Sequence, residues 1–127
     1  MTKRHDVYKC SVCGNIVDMV QPGLGELFCC GKPMDLAQAK SEDTGHEKHK
    51  PVVEKSKTLL TVTIGSIPHP MEEAHYIEWI EVITSEENAY RKFLKPGMPA
   101  QAKFENLTDV VLVRAYCNIH GLWETKI

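Results

Sequence analysis

No apolar run in this chain approaches the ~18 to 20 residues needed to span a bilayer. The opening Met1-Thr2-Lys3-Arg4-His5-Asp6 leads into Val7-Tyr8-Lys9-Cys10, not into a signal-peptide core. A soluble, cytoplasmic protein without a membrane partner is therefore expected. Basic residues are not in excess either. Fifteen Lys and Arg against 17 Asp and Glu give a net charge of -2 with pI near 6.3, which provides no footprint for nucleic acid. A long amphipathic helix, an internal repeat and a low-complexity tract are all missing. So is an even cysteine count: five cysteines argue against a disulfide framework and for reduced thiols in a reducing compartment.

What is present is metal-ligand chemistry. Of five cysteines and six histidines, nine fall into two clusters. The first is Cys10-x-x-Cys13, fifteen residues, then Cys29-Cys30. The second combines Cys117-x-x-His120 with His49, His69 and His75. Four thiolates close a coordination sphere, whereas a mixed nitrogen and sulfur set can leave a position open.

The 127 residues suit a small metal-stapled module joined to a domain of about 90 residues, because a segment under ~40 residues rarely folds on its own apolar core. Within a first domain of residues 1 to 37, residues 7 to 36 alternate short apolar pieces (Val7-Tyr8, Ile16-Val17, Leu27-Phe28) with glycines, the pattern of short strands and tight turns. Residues 38 to 46 are polar and aperiodic and read as a linker. From there to residue 127 the period is two. Leu60, Val62 and Ile64 alternate with Thr61 and Thr63; Ala100, Ala102 and Phe104 alternate with Gln101, Lys103 and Glu105. Tyr76 to Ile83 and Val110 to Tyr116 read as interior strands. Turn signals at residues 85 to 88, 96 to 99 and 106 to 109 separate them, giving an all-β chain that ends in an antiparallel sandwich.

In the first cluster one turn at Cys10-x-x-Cys13 offers two sulfurs to one metal, and Gly14 permits a left-handed backbone there. Cys29 and Cys30 are adjacent, so on a regular strand they point to opposite faces; they reach one ion only if the backbone bends, with Gly31 assisting. On cysteine count alone this is a zinc ribbon serving as a staple. A Cys29–Cys30 disulfide is a third reading, and ligand softness does not separate zinc from iron.

In the second cluster His69 stands between Pro68 and Pro70, a stiffened segment. His75 follows after Met71-Glu72-Glu73-Ala74, where a short turn would bring both rings to one ion. Cys117 and His120 end a strand and turn on Gly121, with the Ile119 and His120 amides placed to donate to the sulfur. Four imidazoles and one thiolate suit a redox metal with one vacant position better than four-coordinate zinc. His5 and His46 lack such partners and read as surface residues.

Tyr8-Lys9-Cys10-x-x-Cys13-Gly14-Asn15-Ile16-Val17, Cys29-Cys30-Gly31, Glu47-Lys48-His49, His69-Pro70-Met71-Glu72-Glu73 with His75, Phe93-Leu94-Lys95-Pro96-Gly97 and Tyr116-Cys117-Asn118-Ile119-His120-Gly121 together resemble the desulfoferrodoxins, two-iron superoxide reductases. The resemblance covers nearly the whole chain. It implies a desulforedoxin-like domain (rubredoxin-like in its metal staple) holding iron through Cys10, Cys13, Cys29 and Cys30. It further implies an immunoglobulin-like β-sandwich holding a catalytic iron, with His49, His69, His75 and His120 around an equator and Cys117 on the axis. The family is similar in being dimeric, in taking electrons from a rubredoxin-like donor and in reducing superoxide to hydrogen peroxide without releasing oxygen. By the same resemblance Lys48 steers the anion and orders a proton-donating water, and Glu47 closes the sixth position of the ferric site at rest. Lys50, His46 and the tail Leu122 to Ile127 depart from the pattern, but none removes a ligand.

Two other functions compete. A copper electron carrier would use Cys117 and His120 but needs a methionine just downstream, and none follows. A zinc-binding interaction module accounts for the first cluster and leaves the second idle.

Overall fold

A computed structural model describes residues 2–42 and 49–127 and contains no helix among them. The chain falls into two compact units, Met1–Gln38 and Ala39–Ile127.

The first unit is built from five very short strands: β1 (Val7–Lys9), β2 (Ile16–Asp18), β3 (Phe28–Cys29), β4 (Lys32–Pro33) and β5 (Asp35–Leu36). Strand β1 lies between β2 and β5 in an antiparallel sheet, while β3 and β4 form a separate hairpin. Among the described residues of this unit only Val7 and Cys10 are buried. There is no hydrophobic core to speak of, so cross-linking by ligands must supply what burial does not.

The second unit is a seven-stranded antiparallel sandwich. One sheet has the order β10 (Gln101–Glu105), β7 (Leu59–Ile64), β6 (Pro51–Ser56). The other has the order β12 (Gly121–Lys126), β11 (Val110–Cys117), β8 (Ile77–Thr84), β9 (Ala89–Phe93). The alternation read from the sequence is realised: β7 buries Leu60, Val62 and Ile64, and β10 buries Ala102 and Phe104. These side chains meet Ile77, Ile80, Val82, Val113, Ala115 and Cys117 of the facing sheet in one core. The other face of the four-stranded sheet buries Glu81, which accepts hydrogen bonds from Arg114 (Nε at 2.9 Å) and Arg91. Both guanidinium groups lie over Trp79.

Three strands of the sandwich are not evident in the sequence: β6, β9 and β12. Each is an edge strand. Strand β9 is almost wholly exposed and β6 nearly so, and β12 buries the adjacent Leu122 and Trp123, so none of the three shows the period-two pattern that β10, also at an edge, keeps. Lys40, within the segment read as linker, is hydrogen-bonded to the outer edge of β12: its amide donates to Leu122 O (2.9 Å) and its carbonyl accepts from Glu124 N (2.8 Å).

Register gathers one end of the sandwich. Pro51 at the start of β6 pairs with Ile64 at the end of β7, and Ile77 at the start of β8 pairs with Cys117 at the end of β11, which in turn pairs with Gly121 opening β12. His49, two residues before β6, the β7–β8 crossover and the β11–β12 hairpin therefore all sit at the same end.

Candidate metal centres

In the first unit, Cys10, Cys13, Cys29 and Cys30 bring their sulfurs within 4.8 Å of one another. The Cys10 sulfur accepts from the amides of Val12 (3.4 Å) and Cys13 (3.5 Å), and the Cys13 sulfur from Asn15 N (3.4 Å). Gly14, with φ of 83°, turns the chain so that the Asn15 amide faces the Cys13 sulfur. The bend required at the adjacent pair is present: Cys30 and Gly31 have φ of 55° and 74° and form the two-residue connection between β3 and β4. Positive φ at both positions is the mark of a type I′ hairpin, and it swings Cys30 back toward the Cys29 side. Cys29 Sγ lies 3.6 Å from Cys13 Sγ and 4.0 Å from Cys30 Sγ.

Amide donation from Cys13, then Val12, pulls the Cys10 thiol down to about 6. Hydrogen bonding to Cys13, then Cys29, pushes Cys30 up to about 12. Four clustered thiols cannot all ionise unaided, and a bound cation displaces the protons they share. All five cysteines are free thiols, which disposes of the Cys29–Cys30 disulfide.

In the second unit the ligand atoms of His49, His69, His75 and Cys117 likewise lie within 4.8 Å of one another. His120 joins them: its Nδ1 is 2.9 Å from His49 Nε2 and 3.8 Å from Cys117 Sγ. The His49, His69, His75 and His120 rings follow one another edge to face, with centroids 4.5 to 5.1 Å apart from each to the next. His69 provides a test of fit. Its Nδ1 is 2.7 Å from Pro70 O, an atom that only accepts, so the proton is on Nδ1 and the lone pair on Nε2. That Nε2 is buried without a hydrogen-bond partner among the described residues. A buried acceptor left unsatisfied is costly unless a cation takes its lone pair. Burial, above all, holds the ring's pKa down to about 4, keeping it neutral and able to ligate.

Cys117 is fully buried, and burial pushes its thiol up. Amide hydrogen bonds from His120 and then Ile119 oppose this, with a smaller contribution from the Lys40 ammonium. Gly121, at φ of 82°, closes the hairpin loop that presents Cys117 and His120 from one turn. His75 is placed by a tight turn in which Glu72 and His75 exchange two backbone hydrogen bonds of 3.0 Å. Lys48, Glu47 and His46 lie outside the described residues.

Several supporting residues were not evident in the sequence. Asn118 joins two ligand segments: its Oδ1 accepts from Tyr76 N (2.9 Å) and its Nδ2 donates to Ala74 O (3.1 Å), on either side of His75. An asparagine between two ligands in a tight turn was the available signal, since its amide mimics a peptide group. Trp123 stacks on His49 at 4.7 Å and 15°. Nothing in the linear spacing of Trp123 marks it as a support for a ligand 74 residues away. Replacing Asn118 with Ala should weaken iron binding at this centre by about 10- to 100-fold, as loss of an outer support generally does. Chelator competition followed through the visible spectrum checks this, and an unchanged affinity would show that the backbone alone holds the loop.

The fold and these ligand sets define a class: a β-protein with a closed four-thiolate centre in a small unit and a separate imidazole–thiolate centre at the end of a sandwich. Residues 41–126 match the family model "Desulfoferrodoxin" and residues 2–37 its "Desulfoferrodoxin, N-terminal domain". The chain is 54% identical to a desulfoferrodoxin homolog of Archaeoglobus fulgidus, over 98% of this chain and 99% of that one. It is 34% identical to a superoxide reductase of Thermococcus kodakarensis, covering 69% of this chain and 92% of that one. The superoxide reductase structure from Treponema pallidum superposes with a TM-score of 0.78 at 26% identity, covering 95% of this chain and 97% of that one. The chain belongs to the desulfoferrodoxin family.

Proposed function

We propose that the protein is a superoxide reductase: superoxide takes up one electron and two protons and leaves as hydrogen peroxide, with no oxygen evolved. The observation that carries this reading is the convergence of four imidazoles and one buried thiolate at one end of the sandwich, a donor set that suits iron and does not close its coordination sphere. Iron bound there supplies the electron and an open coordination position for a small anion. The four-thiolate set of Cys10, Cys13, Cys29 and Cys30 would hold the second iron.

The residues have separable tasks. His49, His69, His75 and His120 are neutral donors, so they leave the centre net positive and attractive to an anion. Cys117, buried and amide-bonded, contributes a soft, electron-rich sulfur from the core side. To Lys48 we assign anion steering and the ordering of a proton-donating water, and to Glu47 the carboxylate that covers the open position at rest. Lys48→Ala should slow attack by superoxide and flatten its dependence on ionic strength. Pulse radiolysis measures both, and an unaltered rate with an unaltered salt slope would remove Lys48 from the mechanism.

A rubredoxin-like electron donor and a homodimer follow from the family resemblance. A cytoplasmic location belongs to the same proposal; the odd cysteine count and the lack of a disulfide between any two of the five suit a reducing compartment. No helix among the described residues is long and apolar enough to cross a membrane. The decisive experiment mixes pre-reduced protein with superoxide while recording dissolved oxygen and peroxide. Peroxide without oxygen supports reduction, whereas evolved oxygen means dismutation.

A further inference from the structure

Lys40 belongs to neither ligand set. Its amide and carbonyl are hydrogen-bonded to the outer edge of β12, at Leu122 O and Glu124 N. From that fixed position its Nζ donates to the carbonyl of His120 (3.1 Å) and lies 5.3 Å from the Trp123 ring centroid. Trp123 is the ring stacked on His49. A single ammonium thus touches the peptide of one ligand and the aromatic support of another. Those two ligand rings are themselves neighbours, 4.5 Å between centroids.

We propose that Lys40 is a positioning residue for the imidazole–thiolate centre, pinning the His120 carbonyl and the Trp123–His49 stack while placing a fixed positive charge beside the iron. The inference rests on the assignment of this centre as the reactive iron site. Three features make the contact more than an exposed lysine at rest. The amide and carbonyl of Lys40 are both tied to β12, so its side chain starts within reach of the hairpin, and the His120 carbonyl and the Trp123 ring then hold the ammonium. A charged donor on a carbonyl is among the stronger hydrogen bonds. A cation over an indole face is attracted to it, which holds the ring flat against His49.

A fixed cation has two consequences. It stabilises the less positive, reduced state of the iron and so raises the midpoint potential. It also adds to the field that draws a small anion to this end of the sandwich, in a salt-dependent way.

The test uses the iron-loaded full chain with Lys40→Met and Lys40→Arg. Methionine keeps an unbranched apolar stem and removes the charge; arginine keeps a cation able to reach a carbonyl and an aromatic face. Iron content of both variants verifies loading. The expected result is a lower midpoint potential for the histidine-ligated iron in Lys40→Met, read by redox titration of its visible band. A severalfold slower reaction with superoxide and a shallower ionic-strength slope should accompany it, and Lys40→Arg should recover all three. A Lys40→Met protein with unchanged potential and salt slope overturns the proposal, as does an arginine variant as impaired as the methionine one. If the unaltered protein itself fails to reduce superoxide, the functional assignment falls, while the potentials still judge Lys40 separately.

Discussion

Cys117→Ser is expected to abolish the chemistry of the second centre while leaving the first untouched. The sulfur is fully buried at the end of β11, paired with Ile77 on one side and Gly121 on the other, so no water or alternative donor replaces it readily. Serine places a hard oxygen there, whose hydroxyl does not ionise near neutral pH and cannot contribute a soft, electron-rich donor. Loss of an outer support costs about 10- to 100-fold, so loss of a ligand should cost at least about a hundredfold in the rate with superoxide. The charge-transfer colour of the histidine centre should vanish, and that of the four-thiolate centre should persist as an internal control. A serine variant that keeps more than half the rate would show that the thiolate is not needed.

Removal of one thiolate from the first centre has a different consequence, on folding. Cys10→Ser should unfold residues 2–37 and spare the sandwich. Val7 and Cys10 are the buried residues of that unit among those described, far too little apolar burial to offset the ordering of its backbone. Structural zinc in zinc-finger peptides binds with about 10 to 16 kcal/mol of apparent energy that is also folding energy, and a four-thiolate iron centre in a unit without a core plays the same part. The sandwich has its own core from both sheets and owes the first unit none of it. Hydrogen exchange read by mass spectrometry should show residues 2–37 unprotected in the variant, with β7, β8 and β11 as protected as before. Retained protection in the first unit would mean that something other than the metal holds it.

Most of the two ligand sets was legible in the sequence because ligand chemistry is local in kind: cysteine and histidine at short spacing are rare without a metal. The bend at Cys29-Cys30 was legible as a requirement, since adjacent strand residues diverge, and positive φ at Cys30 and Gly31 fulfils it. The alternating strands β7 and β10 were legible because one face is buried and the other is not. Strands β6, β9 and β12 were not: β6 and β9 are mostly exposed on both faces, and β12 buries two adjacent residues, Leu122 and Trp123, so none alternates. Trp123 and Lys40 were invisible for another reason: each acts on a residue brought near by pairing, not by sequence; Asn118 offered only its place between two ligands, and its partners beside His75 come from pairing too.

By itself the sequence determined the chemistry available: which donors, how soft, in what two groups, and that the first unit depends on a metal for lack of a core. Tertiary structure alone decided that His49, from before β6, meets His120, from after β11, and that an asparagine, an indole and an ammonium brace them. The reason is that strand register is a global property. Pairing Pro51 with Ile64 and Cys117 with both Ile77 and Gly121 fixes which chain ends coincide, and no local spacing records that.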